Sequence, residues 1–291
     1  MELDFNPDEV IVERDEEKGV LWIILNRPET LNALTHALER HVRELIIDAE
    51  RDDSIKVIAF KGTGRAFCSG ADLNEAYDFY FLPGEDKKKR PSQRRRVGVS
   101  GSGLWGKHGL VDAIFYSVKP TVAVIHGRCF GAGMDLLMAC DLAIAADDTV
   151  FGHPGFTYHG FGGDLASYIF HMGLKRAKEF TLTARPFDAK RAVELGMVNH
   201  IVPPDKLAEE AAALIADIVK LPTDALVMQK VHYKVVLDGL GFATNFSAAH
   251  QAISWASNVK LDPGDNSMVK DKEGRSISDT IQARKEHFGH W

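Results

Sequence analysis

Cysteine is scarce in this chain of 291 residues, which contains only Cys68, Cys129 and Cys140. Their spacing fits neither a paired-cysteine metal site nor a framework of disulfides. A disulfide-rich secreted scaffold and a zinc site built on cysteine pairs are therefore excluded. We expect three free, buried thiols in a reducing compartment and no metal.

Positive charge and long apolar runs are also in short supply. The net charge is -6 and the pI is about 6.1, which argues against general binding to nucleic acid or to an anionic membrane. No stretch approaches the roughly 20 apolar residues of a membrane-spanning helix. The acidic start of the chain has neither an apolar signal core nor an Arg-rich transit pattern, so we expect a cytoplasmic protein.

The chain instead contains alternating strand and helix patterns. Val20–Leu25 is a continuous apolar run, typical of a strand covered on both faces. Apolar residues then recur at helical spacing over residues 35–51, with Glu39 and other charged residues predicted on the solvent face. A second buried strand is predicted at Val57–Lys61. Strand, helix and strand in this order are typical of a parallel α/β fold.

Two glycine-rich turns follow buried strands. The strand predicted at Thr121–Ile125 leads to Gly131 and Gly133, after which an apolar helix is predicted from Met134 to Ala139. The second turn, Gly64–Leu73, follows the strand at Val57–Lys61. Glycines let backbones approach closely, and the first N–H groups of a helix lack internal partners, so such turns can bind negative charge.

Taken singly, each turn is most simply a strand-to-helix connection without a ligand. Two donor turns behind neighbouring strands predict instead one split site, in which main-chain N–H groups converge as an oxyanion hole. A dinucleotide site is an alternative, because Gly131 and Gly133 stand between a strand and a helix. The third glycine of that fingerprint is, however, replaced by Leu136.

Residues 74–104 interrupt the α/β pattern with a basic run, Lys87–Arg96. Such a run is typical of a solvated loop. Two other interpretations are a lid whose cations meet an anionic ligand such as phosphates, and an arm that contacts RNA. A helix is then predicted over residues 104–118, and it would carry His108 toward the central strand.

Residues 151–164 form a predicted turn-rich loop dense in glycine, histidine and aromatic residues, before a helix at Leu165–His171. Asp164 is well placed to cap that helix. A carboxylate on a glycine-rich turn near His153 and His159 also suits acid–base or nucleophilic catalysis. The two histidines lack metal-site spacing, and we expect them to be structural.

The C-terminal part of the sequence predicts helices over residues 205–221, 223–237, 244–258 and 278–287. The second of these carries an apolar stripe of Leu226, Val227, Val231 and Val235. We expect such stripes to pack on the protein's own core, with an interface between subunits as the second interpretation.

Several motifs carry a family resemblance between about residues 10 and 260. They are Asn26-Arg-Pro with Leu31-Asn-Ala-Leu34, Gly64-Arg-Ala-Phe-Cys-Ser-Gly-Ala-Asp-Leu73, Lys119-Pro, Val124-Ile-His-Gly127, Gly131-Ala-Gly133, Ala139-Cys-Asp-Leu-Ala-Ile-Ala145, Phe151-Gly152 and Leu195-Gly-Met-Val-Asn199. In order and spacing they resemble the enoyl-CoA hydratase/isomerase (crotonase) superfamily.

The resemblance implies an α/β fold: a crotonase-type ββα spiral core over residues 1–205 and a C-terminal helical region over 206–291. It further implies trimers or dimers of trimers and an acyl-CoA thioester substrate, with coenzyme A as part of the substrate and no prosthetic group. The backbone N–H groups of Ala71 and Ala132 would hold the thioester oxygen. The path of coenzyme A would be lined by residues matched to the family motifs, namely Arg27, Arg65, Ala66, Ser69, Gly70, Asp72, Leu73 and Gly131.

The chain departs from the resemblance at the two glutamates that hydratases of this superfamily share. The first position is Asp135, and the second, in the pattern Phe-Gly-x-Pro-Glu, is Gly155. Asp164 is similar in place to the working aspartate of dehalogenases and carbon–carbon bond hydrolases in this superfamily, with His108 or His159 as proton carrier.

Three functions are therefore open. The first is hydration or isomerisation of an enoyl-CoA, or a related hydrolytic step, through a stabilised enolate or oxyanion. The second is a thioester or carbon–carbon bond hydrolase, or a dehalogenase-like enzyme, that uses Asp164 and a histidine. The third is a non-catalytic or RNA-binding homologue, suggested by Lys87–Arg96.

Overall fold

The computed structural model describes residues 5–75, 109–159, 165–242, 244–245 and 276–291, with residues 158 and 159 described by their backbone alone. The strands of these ranges are β1 Val10–Asp15, β2 Val20–Leu25, β3 Val57–Gly62, β4 Thr121–Ile125, β5 Arg128–Phe130, β6 Leu142–Ala146, β7 Val150–Gly152, β8 Phe187–Asp188 and β9 His200–Val202.

The α-helices of the same ranges are α1 His36–Glu50, α2 Leu110–Phe115, α3 Ala132–Ala139, α4 Gly155–His159, α5 Leu165–Met172, α6 Leu174–Thr183, α7 Ala189–Glu194, α8 Leu207–Val219, α9 Thr223–Gly239 and α10 Ile277–Phe288. Short 3-10 helices lie at Pro7–Glu9, Pro28–Thr30 and Pro204–Lys206.

The main sheet has the strand order β1-β2-β3-β4-β6-β9. β1 is antiparallel to β2, and the strands from β2 to β9 pair in parallel. The strands predicted at Val20–Leu25, Val57–Lys61 and Thr121–Ile125 are thus confirmed as neighbours. Their continuous apolar runs arise because both faces of the parallel sheet are covered.

Two apolar clusters cover the two faces of this sheet. Since strand side chains alternate, Ile58 and Phe60 enter one cluster while Val57 and Ala59 enter the other. The first cluster includes α1 and α3, and the second includes α8. The site described below lies where β3 and β4 end, on the side of α3.

Helix α1 begins where the sequence predicts, with the Thr35 hydroxyl accepting a hydrogen bond from the Leu38 N–H at 3.2 Å. One residue departs from the predicted amphipathic pattern. Glu39, expected on the solvent face, is only 2% exposed, and its carboxylate lies 3.2 Å from Nδ1 of His36. The prediction was wrong here because other parts of the fold pack over a position that helical periodicity alone places outside.

The small sheet has the order β5-β7-β8, with β5 and β7 parallel. It corrects the prediction of a turn-rich loop over residues 151–164. Strand β7 extends to Gly152, and α4 occupies Gly155–His159. Pairing with β5 holds residues 150–152 in a regular strand conformation. The predicted helix after Asp164 is confirmed as α5, while residues 160–164 lie outside the described ranges.

Helix α3 begins at Ala132, two residues before the predicted start, because Gly131 is its N-cap. Of the helix predicted over residues 104–118, the described part is shorter and runs from Leu110 to Phe115. His108 and the basic run Lys87–Arg96 lie outside the described residues.

The prediction that the apolar stripes of the C-terminal helices pack on the core holds for α8 and only partly for α9. The apolar side of α8 is buried through Leu207, Ala211 and Ile215, as expected. The predicted stripe of α9 is buried at Leu226, which is 6% exposed, but not at Val231 and Val235, which are 45% and 64% exposed.

Polar contacts tether α9 instead. Lys230 Nζ lies 2.6 Å from Asp141 Oδ1, and the Tyr116 hydroxyl donates to Asp238 at 2.7 Å. The predicted boundary between the spiral core, residues 1–205, and the C-terminal helical region, residues 206–291, stays a prediction. None of the helices in the described residues is long and apolar enough to span a membrane.

Candidate active site

The two glycine-rich turns lie side by side. The Phe67 N–H donates to the His126 carbonyl at 2.9 Å, and the Cys68 N–H donates to the Arg128 carbonyl at 3.2 Å. In return, the Phe130 N–H donates to the Cys68 carbonyl at 2.9 Å. The segments after β3 and β4 therefore form a short parallel ladder, which fixes the turns relative to each other.

Glycine is required where the two turns touch. Gly70 has φ of +102°, and a Cβ there would lie 3.0 Å from the Phe130 carbonyl oxygen and 3.2 Å from the Ala132 nitrogen. A Cβ on Gly133 would lie 2.8 Å from Cβ of Cys68. Without side chains at these positions, the backbone just before Ala71 approaches the Ala132 nitrogen closely.

The main-chain N–H groups of Ala71 and Ala132 are available there. Leu34 bonds to both neighbours of Ala71, accepting from the Asp72 N–H at 2.7 Å and donating to the Gly70 carbonyl at 2.8 Å. Because backbone groups alternate along extended chain, the Ala71 N–H points away from Leu34. Ala132 is the first residue of α3, where N–H groups have no partner in the helix. Neither N–H donates to a protein group in the described ranges.

An ion pair holds the Ala71 turn in place. The Arg27 guanidinium donates to Asp72 Oδ2 at 3.1 and 3.0 Å and to the Ala33 carbonyl at 2.6 Å. Its Nε also lies 3.2 Å from Glu9 Oε1. The Arg27–Asp72 ion pair thus holds the Ala71 turn in place. That these two residues also line the path of coenzyme A stays a prediction.

Asn32 ties the same region together. Its side chain is 1% exposed, and its amide nitrogen donates to the Thr63, Ala66 and Phe67 carbonyls at 2.9, 2.8 and 3.2 Å. Its amide oxygen accepts from the Arg27 N–H at 2.8 Å. The Gly64–Leu73 turn therefore rests on a network of buried hydrogen bonds.

The other residues predicted along the coenzyme A path lie in this region with different exposures. Arg65 is exposed, and Leu73 and Ser69 are half-buried. Ala66, Gly70 and Gly131 are buried, with the Ser69 hydroxyl donating to the Thr30 carbonyl at 3.0 Å. Whether they contact a ligand stays a prediction.

Asp135 lies in the first turn of α3, just after the Ala132 N–H. Its side chain is buried, and its Oδ1 accepts a hydrogen bond from the Tyr168 hydroxyl at 3.3 Å. Its Oδ2 lies 3.7 Å from Nε2 of His153. The N-terminus of a helix favours a negative charge at this position. A carboxylate, an imidazole and a phenol thus meet beside one of the two free N–H groups.

His153 is a further candidate that the structure adds to this cluster, and the sequence prediction of a structural histidine stays a prediction. Its Nδ1 is buried with no hydrogen-bond partner among the residues that the structure describes. Its ring packs against Phe156 and Tyr168, at centroid distances of 4.7 and 6.4 Å. The available signal was its position in Phe-Gly-x-Pro, two residues before the missing glutamate.

The remaining predicted catalytic residues are not placed. His108 and Asp164 lie outside the described residues, and His159 ends α4 with only its backbone described. Their approach to Asp135 stays a prediction. Within the described ranges, no cluster of three or more His, Cys, Asp or Glu residues could hold a metal ion.

The three cysteines are free, as predicted. Cys68 and Cys129 are buried as expected, whereas Cys140 is only half-buried, which corrects the prediction of three buried thiols. Burial raises the pKa of Cys68 to about 12, and the nearby carboxylates of Glu39 and Asp135 add to the effect. Burial also raises the pKa of Cys129 well above its usual range. Because nucleophilic attack requires the thiolate, neither side chain is suited to it.

Comparison with known proteins identifies the family. The family model described as enoyl-CoA hydratase/isomerase matches residues 15–254. The chain belongs to this family. A probable enoyl-CoA hydratase of Mycobacterium bovis is 32% identical over 224 residues, which cover 76% of this chain and 79% of that protein. The hydroxycinnamoyl-CoA hydratase-lyase of Pseudomonas fluorescens is 31% identical over 206 residues, covering 70% of this chain and 71% of that protein.

Solved structures share the crotonase fold. An enoyl-CoA hydratase/isomerase from Xanthobacter autotrophicus has a TM-score of 0.79 and 26% identity, covering 96% of this chain and 98% of that one. An enoyl-CoA hydratase from Mycobacterium smegmatis has a TM-score of 0.81 and 24% identity, covering 98% and 96%. The predicted α/β fold of crotonase type is thus confirmed.

Proposed function

We propose that this member of the enoyl-CoA hydratase/isomerase family adds water across the double bond of an enoyl-CoA thioester. The observation that carries the proposal is the Asp135 carboxylate in contact with His153, beside the adjoining turns of Ala71 and Ala132. The names of the related hydratases support the substrate class. Coenzyme A enters as part of the substrate, and no prosthetic group is needed.

The Ala71 and Ala132 N–H groups are proposed to donate to the thioester carbonyl oxygen. Attack at the β-carbon of an enoyl thioester moves electrons onto this oxygen, so donors aimed at it stabilise the enolate. The support is that both groups lack a protein acceptor in the described residues and that their turns are in contact. Bracing by Asn32 and the Arg27–Asp72 pair would limit reorganisation of these donors during the reaction.

Asp135 and His153 are proposed to handle the protons. The Asp135 carboxylate accepts a proton as water forms its bond to the β-carbon, and protonated His153 donates a proton to the α-carbon. Transfer of a proton from Asp135 to His153 then restores both groups across their 3.7 Å separation. The net change is the addition of one water molecule. His153 would thereby take over the acid–base role for which Gly155 has no side chain.

Isomerisation of the double bond is the second candidate, and Gly155 favours it. Moving a double bond requires removal of a proton from one carbon and its return to another, which one carboxylate can perform. Asp135 alone would then suffice, with Tyr168 and His153 orienting it. A hydrolase that uses Asp164 and a non-catalytic homologue remain the other hypotheses.

Product analysis in heavy-oxygen water separates these reactions. The protein is incubated with short, branched and aromatic enoyl-CoA thioesters, and the products are examined by mass spectrometry. Hydration gives a hydroxyacyl-CoA with heavy oxygen at the β-carbon. An unchanged mass with a moved double bond indicates isomerisation, and free coenzyme A with a labelled acid indicates hydrolysis. No turnover and no thioester binding would refute the proposal.

Two variants test the assigned proton carriers. Asp135→Asn and His153→Gln should each lower kcat by about 100-fold or more, because each removes a proton-transfer group. Asp188→Asn is the matched control, since asparagine can also cap α7, where Asp188 accepts from the Arg191 N–H at 2.8 Å. Wild-type turnover by either active-site variant would remove that residue from the mechanism.

We further propose that the protein forms trimers or dimers of trimers, as the family resemblance implies. The exposed apolar side chains of α9 support an interface between subunits. Light scattering on the purified protein should give three or six times the chain mass of 32.2 kDa. A monomer at micromolar concentration would contradict this assembly.

A further inference from the structure

Trp291 packs behind the turn that carries Ala132. Its ring lies at right angles to that of Phe130, with centroids 5.6 Å apart, and Phe130 is two residues before Ala132. The indole also rests on the backbone of Gly152, at the end of β7. Trp291 thus contacts both strands of the β5–β7 pair.

Gly152 makes room for this indole. A Cβ at Gly152 would lie 2.9 Å from Cη2 and 3.2 Å from Cζ3 of Trp291, closer than ordinary contacts allow. Pro186 limits the same space, at 3.3 Å. The absence of a side chain at Gly152 is therefore matched to the presence of a large one at Trp291.

The two strand ends in contact with Trp291 lead directly to the candidate site. The Gly131 N–H donates to the Gly152 carbonyl at 2.9 Å. Gly131 precedes Ala132, whose N–H is a proposed oxyanion donor, and Gly152 precedes His153. A shift of the Gly152 backbone would therefore move an oxyanion donor and a proton carrier together.

A cation also packs on the indole. Arg284 is 7% exposed, and its guanidinium lies 4.7 Å from the centre of the Trp291 ring. Helix α10, which carries Arg284, starts with a reciprocal capping box between Ser276 and Asp279 and ends at Gly289 with φ of +65°. This left-handed turn brings the chain back toward β7.

We propose that Trp291 is a positioning residue, which acts through Gly152 and Gly131 to fix the Ala132 N–H and His153 in their working geometry. This inference rests on the proposed function. It predicts a loss in turnover rather than in ground-state binding, because the indole packs on Phe130 and Gly152, the residues that lead to the proposed oxyanion donor and proton carrier. Misplacement of a catalytic group by about 1 Å can lower the rate by roughly 100-fold.

The experiment compares Trp291→Ala with Trp291→Phe, and Phe288→Ala is the control. Phe288 is the half-buried aromatic residue at the end of α10, just before Trp291 in the chain, with ring contacts to His287 and His290. We expect Trp291→Ala to lower kcat by about 10- to 100-fold with KM changed by less than about threefold. Trp291→Phe should recover most of kcat because an aromatic ring still rests on Gly152. The control should behave like the wild type.

A double-mutant cycle with Gly152→Ala tests the route of the effect. Alone, this change should lower kcat because its Cβ displaces the indole. Combined with Trp291→Ala it should add little further loss, since the ring is no longer there to be displaced. Independent, additive effects of the two changes would refute coupling through this contact.

A spectroscopic measurement separates this inference from the proposed function. Butanoyl-CoA labelled with carbon-13 at the thioester carbonyl is bound, and its carbonyl stretch is recorded by difference infrared spectroscopy. Oxyanion donors lower that frequency in the wild type, and Trp291→Ala should lessen the shift. No shift of the carbonyl frequency in the wild type would refute the proposed function. A full shift in Trp291→Ala, with kcat unchanged, would overturn the positioning role alone.

Discussion

Replacing Ala132 by proline would remove one proposed oxyanion donor while leaving the start of α3 intact. Proline has no N–H, but it suits the first position of a helix because the N–H there lacks an intrahelical acceptor. Ala132 occupies this position. The preceding Gly131 has ψ of -125°, outside the α region that a following proline disfavours. The backbone of α3 should therefore accept the change.

The expected magnitude follows from the number of donors lost. Loss of one of two oxyanion donors weakens transition-state stabilisation by about 3 to 4 kcal/mol, which is about 100- to 1,000-fold in kcat. The proline ring would also occupy space next to the missing hydrogen. We therefore expect kcat for enoyl-CoA hydration to fall by at least about 100-fold. The melting temperature should change by only a few degrees, because no described protein acceptor loses a hydrogen bond.

Ala132→Gly is the matched control because it keeps the N–H and removes only the methyl group. Steady-state kinetics and thermal unfolding of both variants complete the test. Retention of more than about a tenth of the control's kcat by a folded Ala132→Pro protein would refute the oxyanion role of this N–H. An unfolded proline variant would instead refute the reasoning about the first position of α3.

Three further predictions concern the groups around the site. Asn32→Ala should lower the free energy of unfolding by about 2 to 4 kcal/mol in urea, because it strands buried backbone carbonyls; a loss under 1 kcal/mol would contradict this. Burial lowers the pKa of His36, but the hydrogen bond and charge of Glu39 outweigh it and raise the pKa to about 9. The stability that wild type has over His36→Gln should thus be full below about pH 6.5 and disappear as the pH rises through about 9; a pH-independent difference in urea denaturation would be inconsistent with that. Cys68 and Cys129 should resist iodoacetamide in the folded protein and react on unfolding, so rapid labelling of the native protein would disprove their protonated, buried state.

The parts of the fold that the sequence predicts are those set by local patterns. Apolar runs of five or six residues identify the central strands, because a parallel sheet covered on both faces needs no polar alternation. The two glycine-rich turns of the site can also be predicted from the sequence, because the need for glycine is a property of each single position. A Cβ on Gly133 would lie 2.8 Å from the Cys68 carbonyl oxygen, and Gly70 combines a φ of +102° with a Cβ position 3.0 Å from the Phe130 carbonyl oxygen, so their residue type itself records a close approach.

Contacts between distant segments could not be predicted in this way. The proximity of Asp135 to His153 depends on the pairing of β5 with β7, which local periodicity does not contain. Helical periodicity likewise assigns Glu39 to the surface, although packing buries it. The valines of α9 show the reverse error, since an apolar stripe predicts burial but does not identify what covers it.

The two departures from the family's glutamate pattern acquire a common physical explanation at the site. An aspartate at position 135 reaches less far from α3 than a glutamate would, and its carboxylate stays within the contact range of Tyr168 and His153. With glycine at position 155, the carboxylate shown near the imidazole of His153 in the described residues is that of Asp135. Under the proposed mechanism, the Asp135–His153 pair would replace the two glutamates without any change in the two glycine-rich turns. If so, restoring one glutamate alone by Gly155→Glu should impair turnover, because a second negative charge would draw the proton of His153 away from the substrate.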